Sequence, residues 1–158
     1  MNVEFINPFL ASTVNVIRIM TFTDPRPEKP FQRQHENASL GDITGVIGLT
    51  GAMNASMALS FSETAILYIV SNMFGEACKE IDIEVQDAVG ELTNMICGDA
   101  RRILAENGLR FEGAIPTVIT GRKHQIAHTV PGPTIVAPFG LGEHGSFFVE
   151  VCFEKGPT

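Results

Sequence analysis

Three side chains with chemistry to offer, Asp87, Glu91 and Asn94, are spaced at i, i+4 and i+7 within residues 83–107. At about 100° per residue, this spacing places all three on one face of a helix. A carboxylate can hold a cationic group, and a neutral carboxamide can orient a water molecule for in-line attack on a phosphoryl group. The solvent face of an ordinary surface helix has the same composition, so the spacing alone leaves both interpretations open.

The surrounding stretch has the pattern of one long amphipathic helix, from Ile83 to Asn107 with Gly108 at its C-terminal cap. The apolar side chains expected to face the core are Val85, Val89, Leu92, Ile96, Ala100 and Ile103. Gly90 and Gly98 flank the polar stripe, although a glycine inside a helix costs up to about 1 kcal/mol relative to alanine. Close approach of a partner's backbone would explain them, so both are candidate partner contacts.

Two further helices are predicted before this one. Residues 7–22 carry an apolar stripe, and Asn7-Pro8 suits an N-cap followed by the first helical position. Three prolines within residues 24–30 prevent that helix from continuing, which predicts an exposed connection. A capping-box pattern over residues 60–63 starts the next helix, which ends at Gly75.

Strand patterns account for most of the remaining chain. Residues 40–60 combine regularly placed glycines with apolar residues and predict a hairpin with its turn near 51–54. Four more strands are predicted at Ile115–Gly121, Gln125–Val130, Thr134–Phe139 and Ser146–Phe153. This order predicts a single α+β domain over residues 1–158, with helices packed on one antiparallel sheet, and indicates an internal duplication of an α-β-β unit.

Charge and composition argue against several classes of protein. The formal charge is −7 and the 11 Lys and Arg residues are scattered, whereas a nucleic-acid-binding protein needs a basic patch. No apolar run approaches the roughly 20 residues that span a bilayer, and residues 1–5 lack the pattern of a secretion signal. The 3 cysteines are far apart, as is typical of reduced thiols. We therefore expect a cytoplasmic protein that contacts neither nucleic acid nor membrane.

Other motifs lack the context that their chemistry needs. Gly140–Gly145 matches G-x-G-x-x-G, but a strand pattern comes directly after it, which favours a hairpin turn over a nucleotide site. His124 and His128 fall in a predicted strand, where residues four apart are well separated, and no Cys or Glu completes a metal motif. Cys97 has no assignable cationic neighbour, so we expect a buried structural thiol. No metal or cofactor of its own is expected for this chain.

The long helix and the strand-like run after it resemble the CheC/CheX/FliY phosphatase family. The residues that carry the resemblance are the Asp87-x3-Glu91-x2-Asn94 motif and Pro116 within the run 115–121. The opening residues 6–9 are similar to N-termini of the CheX type. CheC-type members carry an acidic residue and an asparagine on both long helices, whereas Ser12 stands here where the first helix would need its glutamate. One site rather than two resembles the CheX type.

The resemblance implies a CheC-like two-layer fold and a phosphatase that hydrolyses the aspartyl phosphate of a CheY-like response regulator. It also implies that Glu91 docks an active-site lysine of the regulator, that Asn94 orients the attacking water, and that Asp87 lies at the rim. The regulator carries its own Mg²⁺. CheX pairs two subunits through sheet edges, which predicts a homodimer. The alternative is a non-catalytic module that binds a response regulator or a chemotaxis complex through the same face.

Overall fold

Three helices lie on one face of an antiparallel sheet of eight strands in a computed structural model, which describes residues 3–33 and 40–154. The helices are α1 (Val3–Thr21), α2 (Glu63–Phe74) and α3 (Ile83–Glu106). The strands are β1 (Arg26–Pro27), β2 (Phe31–Gln32), β3 (Gly41–Gly51), β4 (Ala55–Phe61), β5 (Phe111–Gly113), β6 (Thr117–His124), β7 (Thr134–Gly140) and β8 (Ser146–Phe153). The predicted α+β class with helices on one antiparallel sheet is confirmed.

The sheet has the same arrangement of strands on either side of its centre. Its order is β1-β7-β8-β4-β3-β5, with β2 also beside β7 and β6 also beside β3. Hairpins β3–β4 and β7–β8 meet along β4 and β8, and each is flanked by two strands from the other half of the chain. A helix followed by four strands therefore occurs twice. This topology supports an internal duplication, with a unit larger than the α-β-β unit that the sequence indicates.

The core fills the space between the sheet and the helices. Successive side chains of a strand point to opposite faces, so alternate residues of the central strands face the helices. The fully buried ones include Met57, Leu59, Phe61, Phe147, Val149 and Val151. On α3, the predicted core positions from Val85 to Ala100 have no exposed surface, but Ile103 is only half-buried and Leu104 takes the core position at that end.

The first helix begins earlier than the sequence predicts. It starts at Val3, so Asn7 is not its N-cap and Pro8 lies inside the helix. The aromatic rings of Phe5 and Phe9 lie 4.8 and 6.1 Å from the ring of Phe153. Burial of apolar surface in this extra turn offsets the backbone hydrogen bond that proline cannot donate.

The second helix is capped by a different serine from the one in the predicted capping box. Ser62 is the N-cap and accepts a hydrogen bond from the backbone N–H of Ala65 at 3.2 Å. Ser60 is instead a buried residue of β4, with its hydroxyl 2.8 Å from that of Thr44. The helix ends as predicted, because Gly75 adopts the left-handed conformation with φ 71°.

Residues 125–133 do not form the predicted strand at Gln125–Val130. They make an irregular strap across the sheet face that points away from the helices, and side chains rather than ladder hydrogen bonds attach it. His128 hydrogen-bonds to the Ser56 hydroxyl, Arg33 donates to the Ile126 carbonyl at 2.6 Å, and the Cys152 thiol donates to the Val130 carbonyl at 3.3 Å. The short strands β1, β2 and β5 also went unpredicted, because two or three residues carry no readable alternation.

Candidate functional site

The polar stripe of the longest helix lies on its solvent face. Asp82 caps α3 by accepting a hydrogen bond from the N–H of Val85 at 3.0 Å, which fixes where the helix begins. Asp87, Glu91 and Asn94 are then all exposed, because the core residues Val85, Val89, Leu92 and Ile96 occupy the opposite face. The structure therefore brings together the three residues that the spacing groups.

The three side chains of the stripe are not engaged by the other residues that the structure describes. Within the part of the chain that the structure describes, none of them makes a side-chain hydrogen bond or ion pair. The basic residues further along the helix are occupied elsewhere: Arg102 pairs with Asp99 at 3.1 Å and Glu106 at 2.9 Å, and Arg101 donates to the Phe111 carbonyl at 3.1 Å. The carboxylates and the carboxamide of the stripe are thus available to another molecule.

Gly90 and Gly98 are not explained by packing within the described residues. A β-carbon on Gly90 would lie 3.5 Å from the Val118 side chain, which is an ordinary contact, and one on Gly98 would meet nothing within 4 Å. Alanine would therefore fit at both positions. Glycine weakens a helix, so its presence at both positions needs another reason. The absence of a side chain there would let the backbone of a partner approach the helix closely.

A third glycine, in the sheet that α3 packs on, positions this helix, and the helical and strand patterns of the sequence do not single it out. A β-carbon on Gly45 of β3 would lie 2.0 Å from Oγ1 of Thr93. Thr93 is fully buried, and its hydroxyl donates to the Val89 carbonyl at 2.7 Å. This contact holds α3 against the sheet directly beside Asn94. A glycine in the interior of a strand is the sequence signal that marks such a close approach.

The region after α3 places an open strand edge near the stripe. Pro116 precedes β6, which pairs with β3 along one side. Among the described residues, no strand pairs with its other side. Ile115 and Ile119 are exposed there, with Ile115 retaining 88% of its accessible surface.

The first helix does not present a counterpart of Glu91 at the position that the family resemblance assigns to it. Ser12 is completely buried, whereas Asn15 is exposed. An acidic side chain at position 12 would have to be buried, which is costly for an unpaired charge. The stripe on α3 is therefore not repeated through Ser12 on α1.

The glycine-rich motif forms a turn between two strands, whereas only one of the two histidines lies in a strand. Gly140–Gly145 connects β7 to β8 as an antiparallel hairpin with one 3-10 turn. His124 ends β6, with Nε2 2.6 Å from the Thr44 hydroxyl. His128 belongs to the strap, and its side chain is buried against the sheet. Over residues 3–33 and 40–154, no three His, Cys, Asp or Glu residues are grouped to hold a metal ion.

The cysteines are free thiols. Cys97 is buried, and burial raises the pKa of its thiol from 9.0 to about 11, against the opposing effect of Arg101. A thiol with so high a pKa is almost entirely protonated near neutral pH and is a poor nucleophile. Cys152 is also buried, whereas Cys78 is half-buried rather than a core residue.

Comparison with known proteins agrees with this fold. The family described as chemotaxis phosphatase CheX matches residues 43–140. A relative from Thermotoga maritima named CheY-P phosphatase CheX is 32% identical over 157 residues, which cover 99% of each chain. The crystal structure of a CheC-like superfamily protein from Shewanella sp. PV-4 superposes with a TM-score of 0.92 at 43% identity, covering 98% of this chain and 100% of that one.

A structure of a CheX-CheY-BeF3-Mg²⁺ complex from Borrelia burgdorferi matches with a TM-score of 0.82 over 98% of this chain and 100% of that one. At 22% identity it shows the fold alone. The fold defines a CheC-like protein. The chain belongs to the CheX family of chemotaxis phosphatases and is accordingly an enzyme of the hydrolase class. Among its described residues, no helix has the length and apolar character needed to cross a membrane.

Proposed function

We propose that this protein hydrolyses the aspartyl phosphate of a CheY-like response regulator, with Asn94 orienting the attacking water and Glu91 docking the regulator. The observation that carries the proposal is that both side chains are exposed and unengaged, three residues apart, on one face of a capped helix. The name of the Thermotoga maritima relative supports the choice of substrate.

The chemistry needs little from the phosphatase itself. Phosphoryl transfer depends mainly on positioning and on stabilising charge, and an acyl phosphate is already reactive. A hundredfold acceleration corresponds to about 2.7 kcal/mol. One well-placed hydrogen-bonding group can supply about 2.7–4 kcal/mol, so the carboxamide of Asn94 is sufficient.

Docking falls to the acidic residues of the stripe. Glu91 offers an exposed carboxylate to the active-site lysine of the regulator that the family resemblance implies, and Asp87 lies one turn earlier at the rim. Gly90 and Gly98 leave room on either side for the regulator's backbone. Because the regulator carries Mg²⁺, the phosphatase needs no metal or cofactor of its own, and we place the reaction in the cytoplasm.

The phosphatase acts as a homodimer in this proposal, with the open edge of β6 as the surface for a second copy. An edge strand presents unpaired backbone donors and acceptors, and exposed Ile115 and Ile119 add apolar surface. Sedimentation at micromolar concentration should give the mass of two chains. A monomer at that concentration would remove the dimer from the proposal and leave the site on α3 untouched.

The function is tested by mixing the chain with a pre-phosphorylated CheY-like regulator in the presence of Mg²⁺. We expect phosphate release to be faster than spontaneous hydrolysis and to scale with the amount of chain added. The alternative, a non-catalytic binding module, predicts that the chain binds the beryllofluoride-activated regulator but releases no additional phosphate. If the chain neither binds nor dephosphorylates any regulator of the host, the proposal is refuted.

A further inference from the structure

We infer that Ile83, at the first position of α3, makes an apolar contact with the docked regulator and contributes to the choice among regulators. This inference rests on the proposed function, because the regulator is the occupant that we assign to the adjoining stripe. The surface concerned consists of Ile83, Asp87, Glu91, Asn94 and Gly98, and is called the docking stripe below.

Ile83 belongs to the docking stripe by its helical phase. Residues 83, 87, 91 and 94 follow one another at intervals of four, four and three, so the other three each lie within about 40° of Asp87 around the helix, in an arc of about 80°. Ile83 keeps 68% of its surface exposed, although isoleucine is one of the residues most often buried. It is thus a large apolar side chain in line with the candidate catalytic residues.

Anchoring of the helix does not account for this isoleucine. Ile81, two residues earlier, packs against the core, and Asp82 provides the cap. Ile83 lies beyond both and turns away from the core. A β-branched residue is also not favoured in a helix by propensity, so neither packing nor local preference requires it.

The position fits one partner in particular. The other exposed large hydrophobic residues among the described ones lie on or beside α1, α2, β3 and β6, and Ile83 is the one on α3. At about 1.5 Å per residue, it stands roughly 12 Å along the helix from Glu91, and the stripe from Ile83 to Gly98 is about 22 Å long. When the lysine of the regulator contacts Glu91, the part of the regulator about 12 Å from that lysine lies over Ile83. An apolar surface at that place on the regulator would cover the Ile83 side chain.

The two ends of the docking stripe would then have different effects. Charged contacts at Asp87 and Glu91 favour encounter and orientation, whereas a buried apolar side chain contributes to affinity. Because Ile83 lies several turns away from Asn94, its contact is made equally in the ground state and the transition state. Its loss should therefore raise KM and leave kcat unchanged.

The test compares Ile83→Ala, Ile83→Asp and Ile83→Met with the wild-type chain. The control is Ile19→Ala, at an isoleucine of α1 that is exposed to a similar extent (71%). We expect Ile83→Ala to raise KM for the phosphorylated regulator roughly tenfold, equivalent to about 1.4 kcal/mol, without changing kcat. Ile83→Asp should raise it further, although an acidic residue suits the start of a helix and should preserve folding. Ile83→Met and Ile19→Ala should stay within about twofold of wild type.

The decisive result is the KM of Ile83→Ala relative to that of Ile19→Ala. Equal values, with a wild-type chain that is active, would overturn the role of Ile83 and leave the proposed function standing. If the wild-type chain binds a beryllofluoride-activated regulator but releases no additional phosphate from the phosphorylated regulator, the Kd of each variant for the beryllofluoride-activated regulator tests the same contact, while the catalytic proposal fails. If the wild-type chain binds no regulator, both proposals fall.

Discussion

Gly45 of β3 and Thr93 of α3 are packed so closely that a β-carbon at position 45 would lie 2.0 Å from Oγ1 of Thr93. The next residue along the helix is Asn94, whose carboxamide must be held within a fraction of an ångström to orient a water molecule. Gly45, in the middle of the sheet, thus sets the distance between the sheet and the helix that carries the proposed catalytic residue.

We expect Gly45→Ala to destabilise the fold by about 1–3 kcal/mol, because the added methyl group must displace α3 from the sheet. It should also lower kcat although Gly45 is buried and contacts no substrate. The matched control is Gly48→Ala on the same strand, where a β-carbon would meet nothing within 4 Å. Urea unfolding and phosphate release would be measured for both variants. Equal stability and rates for the two would show that Gly45 does not position the helix.

Asn94→Ala and Glu91→Lys should affect catalysis and binding differently. A neutral amide adds little to charged docking, so Asn94→Ala should lose most of kcat while retaining affinity for the activated regulator. Glu91→Lys places like charges in contact and should weaken binding by about 2–5 kcal/mol. Both residues are exposed, so neither change should move the melting temperature by more than a few degrees.

The control for this pair is Asn15→Ala, which removes an exposed asparagine from α1. It should leave phosphate release and affinity as in the wild-type chain. If Asn94→Ala dephosphorylates the regulator at the wild-type rate, the catalytic assignment is wrong, and the role of the stripe reduces to binding.

Gly98→Ala should increase stability and reduce activity together. The new methyl group has free space, and alanine favours the helix by about 0.5–1 kcal/mol over glycine. The same methyl group would stand at the C-terminal end of the docking stripe, one turn beyond Asn94, and hinder the regulator's backbone, so KM should rise. Thermal unfolding and steady-state kinetics give the two readouts. A more stable variant with unchanged kinetics would mean that Gly98 does not provide clearance for a partner.

Asp42 makes part of the stability dependent on pH. Its carboxylate accepts hydrogen bonds from the backbone N–H groups of Lys123 at 3.0 Å and Glu63 at 2.8 Å, and so links β3, β6 and the start of α2. The bond from Lys123 is the main reason that the pKa of Asp42 is lowered from 3.8, although partial burial opposes it. A lowered folded-state pKa contributes stability that is fully present above 3.8 and is lost as the pH falls through the lower, folded-state value.

Asp42→Asn should therefore cost about 1 kcal/mol near pH 7, and the difference from the wild-type chain should shrink as the pH falls below about 4. Urea unfolding of both proteins near pH 7 and near pH 3 would measure this. A difference of the same size at both values would show that the charge of Asp42 is not what links the three elements.

The sequence by itself determined the long helix and the phase of its polar stripe. Helical periodicity is local, so residues three and four apart are enough to place Asp87, Glu91 and Asn94 opposite the core. The strands with clear alternation and glycine turns were likewise predicted near their observed positions. The end of α2 was predictable from Gly75 because a left-handed cap is a property of one residue.

The tertiary structure alone decided the contacts between residues that are distant in the chain. The start of α1 depends on its contact with Phe153, and the distance of α3 from the sheet depends on Gly45. No local sequence pattern near either helix reveals these two contacts. The same holds under the strap, where fully buried Glu150 lies 3.3 Å from Arg33 Nη1 and 3.6 Å from His128 Nε2. A buried carboxyl group is tolerated only beside polar partners. The pairing of β2, β7 and β8 brings Arg33 and Glu150 together, and the fold of the strap adds His128, although the three are far apart in the sequence.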